Sequence, residues 1–178
     1  MKVIPSAIPE VLLIEPAVAV DHRGFFLESF NQRDFRKNTG LNVHFVQDNH
    51  SHSSKNVLRG LQHQIDRPLG KLVRVSRCTI FDVTVDLRHE SPCLGKWVGV
   101  QLSEHNHHQK WVPPGFAHGF LMLSDSADVL YKTTGYYEPE LERCIAWDDP
   151  ELSIKWPLGG VPSLSEKDRA GHAFSRRG

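Results

Sequence analysis

The sequence predicts an all-β fold, a sandwich or barrel assembled from many short strands. Three observations lead there. Short apolar runs recur along most of the chain and are bounded by turn residues, such as Pro113-Pro114-Gly115 and Gly135. Residues 72–87 alternate, with Phe81, Val83 and Val85 on one side and Asp82, Thr84 and Asp86 on the other, which is the period of a strand. Only one long stretch carries helix signals at both of its ends.

Taken in order, strands are expected over 25–30, 43–46, 57–64, 72–87, 97–102, 109–112, 118–123 and 129–134. The helix begins after Asn31, whose side chain suits the cap; Asp34 lies near its positive end and Gly40 can terminate it. A second, short helical turn is expected from Ser165, with Glu166-Lys167-Asp168 behind it. The tail beyond is polar and basic and is expected to fray.

The 178 residues suit one domain over 1–178, large enough to bury roughly 70% of the unfolded surface without staples. Basic and acidic residues number 21 each. That balance argues against a nucleic-acid or membrane-surface protein, which would carry a basic excess. Cys78, Cys93 and Cys144 form no CxxC pair, which points to reduced thiols and a cytoplasmic location. The apolar run Val11-Leu12-Leu13-Ile14 is cut by Glu15 and Pro16, too short for a signal peptide, and no stretch approaches the roughly 20 apolar residues of a membrane span.

Polar residues are dense on the predicted strands. A jelly roll has an interior, and polar side chains aimed into it need partners or a ligand. Residues 113–118 fit half of a metal-binding cupin pattern, PxGxxH. The other half needs HxH with a glutamate, and the matching strand offers Gln62-His63-Gln64 instead, so no metal is expected. The loop cluster His105, His107 and His108 points to no functional ion. There is no GxSxG, P-loop or GxGxxG. What remains is proton transfer on a bound organic molecule. A strand lysine, Lys71, can stabilise an enolate oxygen, and a strand tyrosine, Tyr131, can donate a proton. Arg59 and His118 can add positive charge, and Asp168 can orient a base.

At these residues the chain resembles the dTDP-4-dehydrorhamnose 3,5-epimerase family. The likeness runs from Ile8 to about Asp168. It is carried by DHRGFFLES at 21–29, FVQDNHS at 45–51, VLRGL at 57–61, GKLVR at 70–74, PPGFAHGF at 113–120, Leu130-Tyr131-Lys132 and LSEKD at 164–168. The resemblance implies a cupin-type jelly roll that, without a cofactor, epimerises C3 and C5 of dTDP-4-dehydro-6-deoxy-D-glucose in dTDP-L-rhamnose biosynthesis. It implies that Arg23, Glu28, Gln47, Asn49, Arg59, Glu142 and Lys167 contact the nucleotide-sugar and that Tyr137 stacks on the thymine. Lys71 and His118 would hold the sugar and its C4 oxygen, Tyr131 would be the acid, and Asp168 would pair with a histidine base. A homodimer with exchanged N-terminal strands is also implied, in which Arg23 or Glu28 serves the partner's pocket.

The departure is at the base. The family's R-G-L-H reads Arg59-Gly60-Leu61-Gln62 here, followed by His63. Glutamine cannot accept a proton from carbon. A regular strand would turn His63 away from the face that Gln62 occupies, whereas a bulge near Gly60 could re-aim it as a substitute base. Three readings therefore stay open: a 3,5-epimerase, a base-impaired relative that binds dTDP-sugar with little turnover, and an epimerase acting on one carbon only.

Overall fold

The computed structural model describes residues 1–175. Two antiparallel sheets pack face to face. One contains, in spatial order, Lys2–Pro5 (β1), Leu12–Glu15 (β2), Gln109–Val112 (β10), Lys71–Arg77 (β7), Ser126–Thr133 (β12) and Gln47–Ser54 (β5). The other contains Glu142–Cys144 (β13), Leu58–Gln64 (β6), Phe116–Met122 (β11), Thr79–Asp86 (β8) and Trp97–Ser103 (β9). Val18–Asp21 (β3) and Gly24–Leu27 (β4) form a separate hairpin. This is a jelly roll, a form of the sandwich that the strand-rich sequence predicts and the one that the family resemblance implies.

Side chains from both sheets fill the space between them. Val73, Val75, Val112 and Val129 of the first sheet meet Ile80, Leu102, Phe120 and Met122 of the second. Two further apolar clusters lie on the outer faces. Helix Gln32–Thr39 (α1) presses Phe35 onto Trp111 and Leu72, and the C-terminal segment lays Leu152 and Phe174 over Leu61, Val83 and Val85. The helix ends as its sequence dictates: the Asn31 side chain accepts from the Asp34 N–H, and Gly40 takes the left-handed conformation at φ 75°.

Four expectations need correction. Residues 43–46 form no strand; Phe45 is drawn instead into an aromatic cluster with Phe30, Phe35 and Trp111, and the strand starts at Gln47. Residues 72–87 are two strands, because the chain turns at Cys78, which has a positive φ of 62°, and changes sheet. Residues 25–30 extend as strand only to Leu27. The tail does not fray through Phe174: His172 bridges to Ile145, and the Phe174 N–H donates to Asp149 at 2.8 Å. Residues 176–178 lie outside the described residues.

The second segment of that long alternation carries the interior chemistry. Ile80 belongs to the core between the sheets, so Asp82, Thr84 and Asp86, of the same parity, share its inward face, and all three are fully buried. The polar half of the alternating pattern therefore points into the roll rather than to solvent.

Candidate active site

Between the sheets lies a cavity of about 800 Å³. Its position follows from strand pairing. Tyr131 lies opposite Val73, and Lys71 lies opposite Thr133, so Lys71 and Tyr131 are diagonal neighbours on one face. Such positions are about 7–8 Å apart, within reach of a single sugar ring. Asn49 and Gln47 of β5 continue the same ladder opposite Tyr131 and Thr133. All four side chains border the cavity.

Burial sets the electrostatics. Removal from water drops the Lys71 ammonium to about 8, against the partial opposition of Glu142 and Asp82. Burial also raises the Tyr131 phenol above its ordinary value, with Arg59 opposing, so it holds its proton at neutral pH. A protonated phenol and a lysine with a softened charge can donate a proton and stabilise an oxyanion, respectively.

The short helix Glu166–Arg169 (α2) brings Asp168 against β6. Ser165 caps it and also donates its hydroxyl to Asp168 Oδ2 at 2.7 Å. Asp168 Oδ1 accepts from the Gly60 N–H at 3.2 Å and from the Gln62 amide at 2.7 Å. Gln62 is therefore held by the carboxylate that the resemblance assigns to a histidine. Strand β6 is irregular here. Its ladder with β11 shifts register between His118 and Phe120, and Gly60, at φ 110°, lies against Gly119, where a Cβ would come within 2.5 Å of the Gly119 Cα. Gln62 pairs with inward-facing His118 and with Cys144, while His63 pairs with Arg143. Both Gln62 and His63 border the cavity, although residues 62–64 pair in regular register with 142–144 and the irregularity lies just before them, at Gly60. The His63 Nδ1 is buried without a partner among the described residues, and burial together with Lys71 and Arg143 pushes the ring toward its neutral form.

At the outer end, Tyr137 donates its hydroxyl to Glu142 at 2.7 Å, Lys167 pairs with Glu142, and the Lys167 ammonium lies 5.9 Å from the Tyr137 ring centroid. Arg59 borders the same cavity and donates to the Ser53 hydroxyl at 2.9 Å.

Three of the sequence-predicted residues are not brought to this cavity. His118 is buried below it, 5% exposed, with Nε2 2.8 Å from Asp82 Oδ2. Arg23 is exposed on the β3–β4 hairpin and paired with Asp21. Glu28 borders a separate, smaller cavity beside α1. Sequence reading missed Thr133 and Ser163, and it named Leu164 and Ser165 without giving them a place at the cavity, which they line next to Asp168; the Ser-x-x-Asp spacing at 165–168 was the available signal. It also missed Cys144, whose thiol, 3.7 Å from Asp168 and buried beside it, is pushed up to about 12. Among the described residues no group of histidines, cysteines or carboxylates is placed to hold a metal ion.

The sequence signature of dTDP-4-dehydrorhamnose 3,5-epimerase matches residues 5–176. The dTDP-4-dehydrorhamnose 3,5-epimerase of Pseudomonas aeruginosa is 58% identical over 98% of this chain and 97% of its own. That of Salmonella typhimurium is 54% identical over 96% of this chain and 93% of its own. The crystal structure of dTDP-6-deoxy-D-glucose-3,5-epimerase from Legionella pneumophila, in complex with dTDP-4-keto-L-rhamnose, superposes with a TM-score of 0.95 at 49% identity, covering 97% of this chain and 92% of that one. The fold, the cavity and these relatives together define a jelly-roll carbohydrate isomerase. The chain belongs to the dTDP-4-dehydrorhamnose 3,5-epimerase family.

Proposed function

We propose that the cavity binds dTDP-4-dehydro-6-deoxy-D-glucose and epimerises it at C3 and C5, giving dTDP-4-dehydro-L-rhamnose. The observation that carries this is the placement of Lys71 and Tyr131 as diagonal neighbours on one cavity face, in a chain of this family. In this reading the C4 oxygen sits by Lys71. A proton leaves the carbon next to the carbonyl, the C–H electron pair moves into the enolate, and Lys71 balances the charge on oxygen. Tyr131 returns a proton from the opposite face, and the proton taken by the base passes through water back to the phenolate, which closes the cycle. Tyr137 stacks on the thymine, and Glu142 and Lys167 hold the nucleotide end. Gln47, Asn49 and Arg59 line the path between, and Asp168 fixes β6 through Gln62.

His63 is the proton acceptor in this reading, since it is titratable, borders the cavity and stands next to Gln62. A second reading has an observation of its own: the Gln62 amide is bonded to Asp168 at the base position, which favours a relative that binds dTDP-sugar with little turnover. Loss of a general base lowers rate by about 10²–10⁴, or roughly 2.7–5.5 kcal/mol of barrier.

Proton NMR of the product distinguishes them. Coupling constants reporting inverted configuration at C3 and C5 support the epimerase. Inversion at C3 alone supports a single-carbon enzyme, and bound but unchanged substrate supports the impaired relative. We also propose a homodimer in which the exposed hairpin, with Phe25 61% and Phe26 75% exposed, is covered by a second copy and carries Arg23 toward the partner's cavity. The three free thiols accord with a cytoplasmic location.

A further inference from the structure

Directly beneath the cavity floor lies a buried group of charges that the proposed reaction does not use. Lys110 is 1% exposed, on β10, with its side chain turned inward between the sheets. Its ammonium lies 2.5 Å from Asp82 Oδ1 and donates to the Asp82 carbonyl at 3.1 Å. The other oxygen of Asp82, which is fully buried on β8, meets His118 Nε2 of β11 at 2.8 Å. His118 stands opposite Gln62 in the β6–β11 ladder. In the β10–β7 ladder Lys110 is opposite Val73 and Val112 is opposite Lys71, so Lys110 and Lys71 share a face. The three side chains thus join both sheets under the floor of the cavity.

One carboxylate faces two bases here. A buried aspartate with one partner would draw a proton onto that partner, because an unpaired buried charge is costly. Burial lowers the Lys110 ammonium and Asp82 opposes it; with its proton kept by that contact, Lys110 supplies the compensating charge. A second cation at His118 would give the enclosed group a net positive charge beside Lys71.

We propose that Lys110 is a positioning residue of this site: by keeping its ammonium on Asp82, it leaves the imidazole of His118 uncharged and fixed as an Nε2–H donor to Asp82, so that Lys71 is the cation beneath the sugar. The charged groups facing His118 are Asp82 from β8, Lys110 from β10 and Lys71 from β7; its neighbour on β6, Gln62, carries no charge. Burial and the two lysines favour neutral imidazole, and Asp82 opposes them. The role for Lys71 rests on the epimerase reading above, but the charge state of His118 does not.

The test reads His118 directly. Histidine ring resonances of the ligand-free protein, labelled with ¹⁵N and assigned through a His118→Gln variant, are followed from pH 5 to 9. The proposal expects His118 to stay neutral down to pH 6 in the wild type and in Lys110→Arg. In Lys110→Met it should carry a proton at pH 7, its midpoint having risen by at least about one pH unit. Samples are first shown to be folded by circular dichroism, and a merely structural lysine would lower the melting temperature without moving this midpoint. A wild-type His118 charged at pH 7, or one that stays neutral in Lys110→Met, would overturn the proposal. Failure of the epimerase reading would appear separately, as absence of turnover with the His118 titration unchanged.

Discussion

Replacing Lys71 with methionine should move activity and stability in opposite directions. The side chain is largely buried, and burial drops its ammonium to about 8. In the unfolded chain a lysine titrates near 10.4. The folded state therefore binds fewer protons than the unfolded state between about pH 8 and 10.5, and stability rises with pH across that window. Below pH 8 the full penalty for keeping the charge buried is present. The shift corresponds to about 3 kcal/mol at most, and to about 1–3 kcal/mol once cavity water screens the ammonium. Methionine has a similar length and no charge, so Lys71→Met should raise the melting temperature at pH 7 by about 2–10 °C. That gain should shrink as the pH is raised from 8 to 10.5. Activity should fall by about 10²–10³, the usual effect of removing one oxyanion stabiliser. Scanning calorimetry across this pH range, beside turnover of the keto-sugar nucleotide, measures both. A lower melting temperature at pH 7 would show that the buried charge of Lys71 is not a cost to the fold, and a rate within a few-fold of wild type that Lys71 does not stabilise the enolate.

Other substitutions follow from the same geometry. Asp168→Ala removes the acceptor of the Gly60 N–H, the Gln62 amide and the Ser165 hydroxyl, and should cost about 2–4 kcal/mol in urea unfolding; an unchanged midpoint would show that water replaces the carboxylate. Gly60→Ala puts a methyl group against the Gly119 backbone at φ 110° and should cost at least about 2 kcal/mol, measured the same way. Tyr137→Ala should weaken dTDP binding by about 5- to 150-fold in titration calorimetry, the worth of one base stack at about 1–3 kcal/mol; equal affinity would place the thymine elsewhere. In wild type, rate should fall as pH rises through about 8, because Lys71 then loses the charge that stabilises the enolate.

How much was legible in sequence depended on whether the signal was local. Helix α1 was readable because its cap, its first-turn acid and its terminal glycine lie within ten positions of one another. The pocket side chains on β5, β6, β7 and β12 were legible through family strings, and the structure gathers them around one cavity. The sheet change at Cys78 was not legible, because a non-glycine residue at positive φ carries no strong turn signal and the alternation runs through it. Nor was the fate of Phe45, which is decided by aromatic packing against Trp111, distant in sequence. The same limit hid the Lys110–Asp82 pair: alternation marked Asp82 as lying on one face, but only the stacking of two sheets shows that this face is the interior. Arg23 and Glu28 are the converse case. Their motif is plain, yet within the chain they stand away from the cavity.

If this cavity exchanges protons at carbon despite Gln62, proton NMR of dTDP-4-dehydro-6-deoxy-D-glucose incubated with the wild-type protein in deuterium oxide will show it. The C3 and C5 proton signals should be lost far faster than in a protein-free blank. Signals that persist at the blank rate, while calorimetry shows dTDP bound, would contradict that exchange.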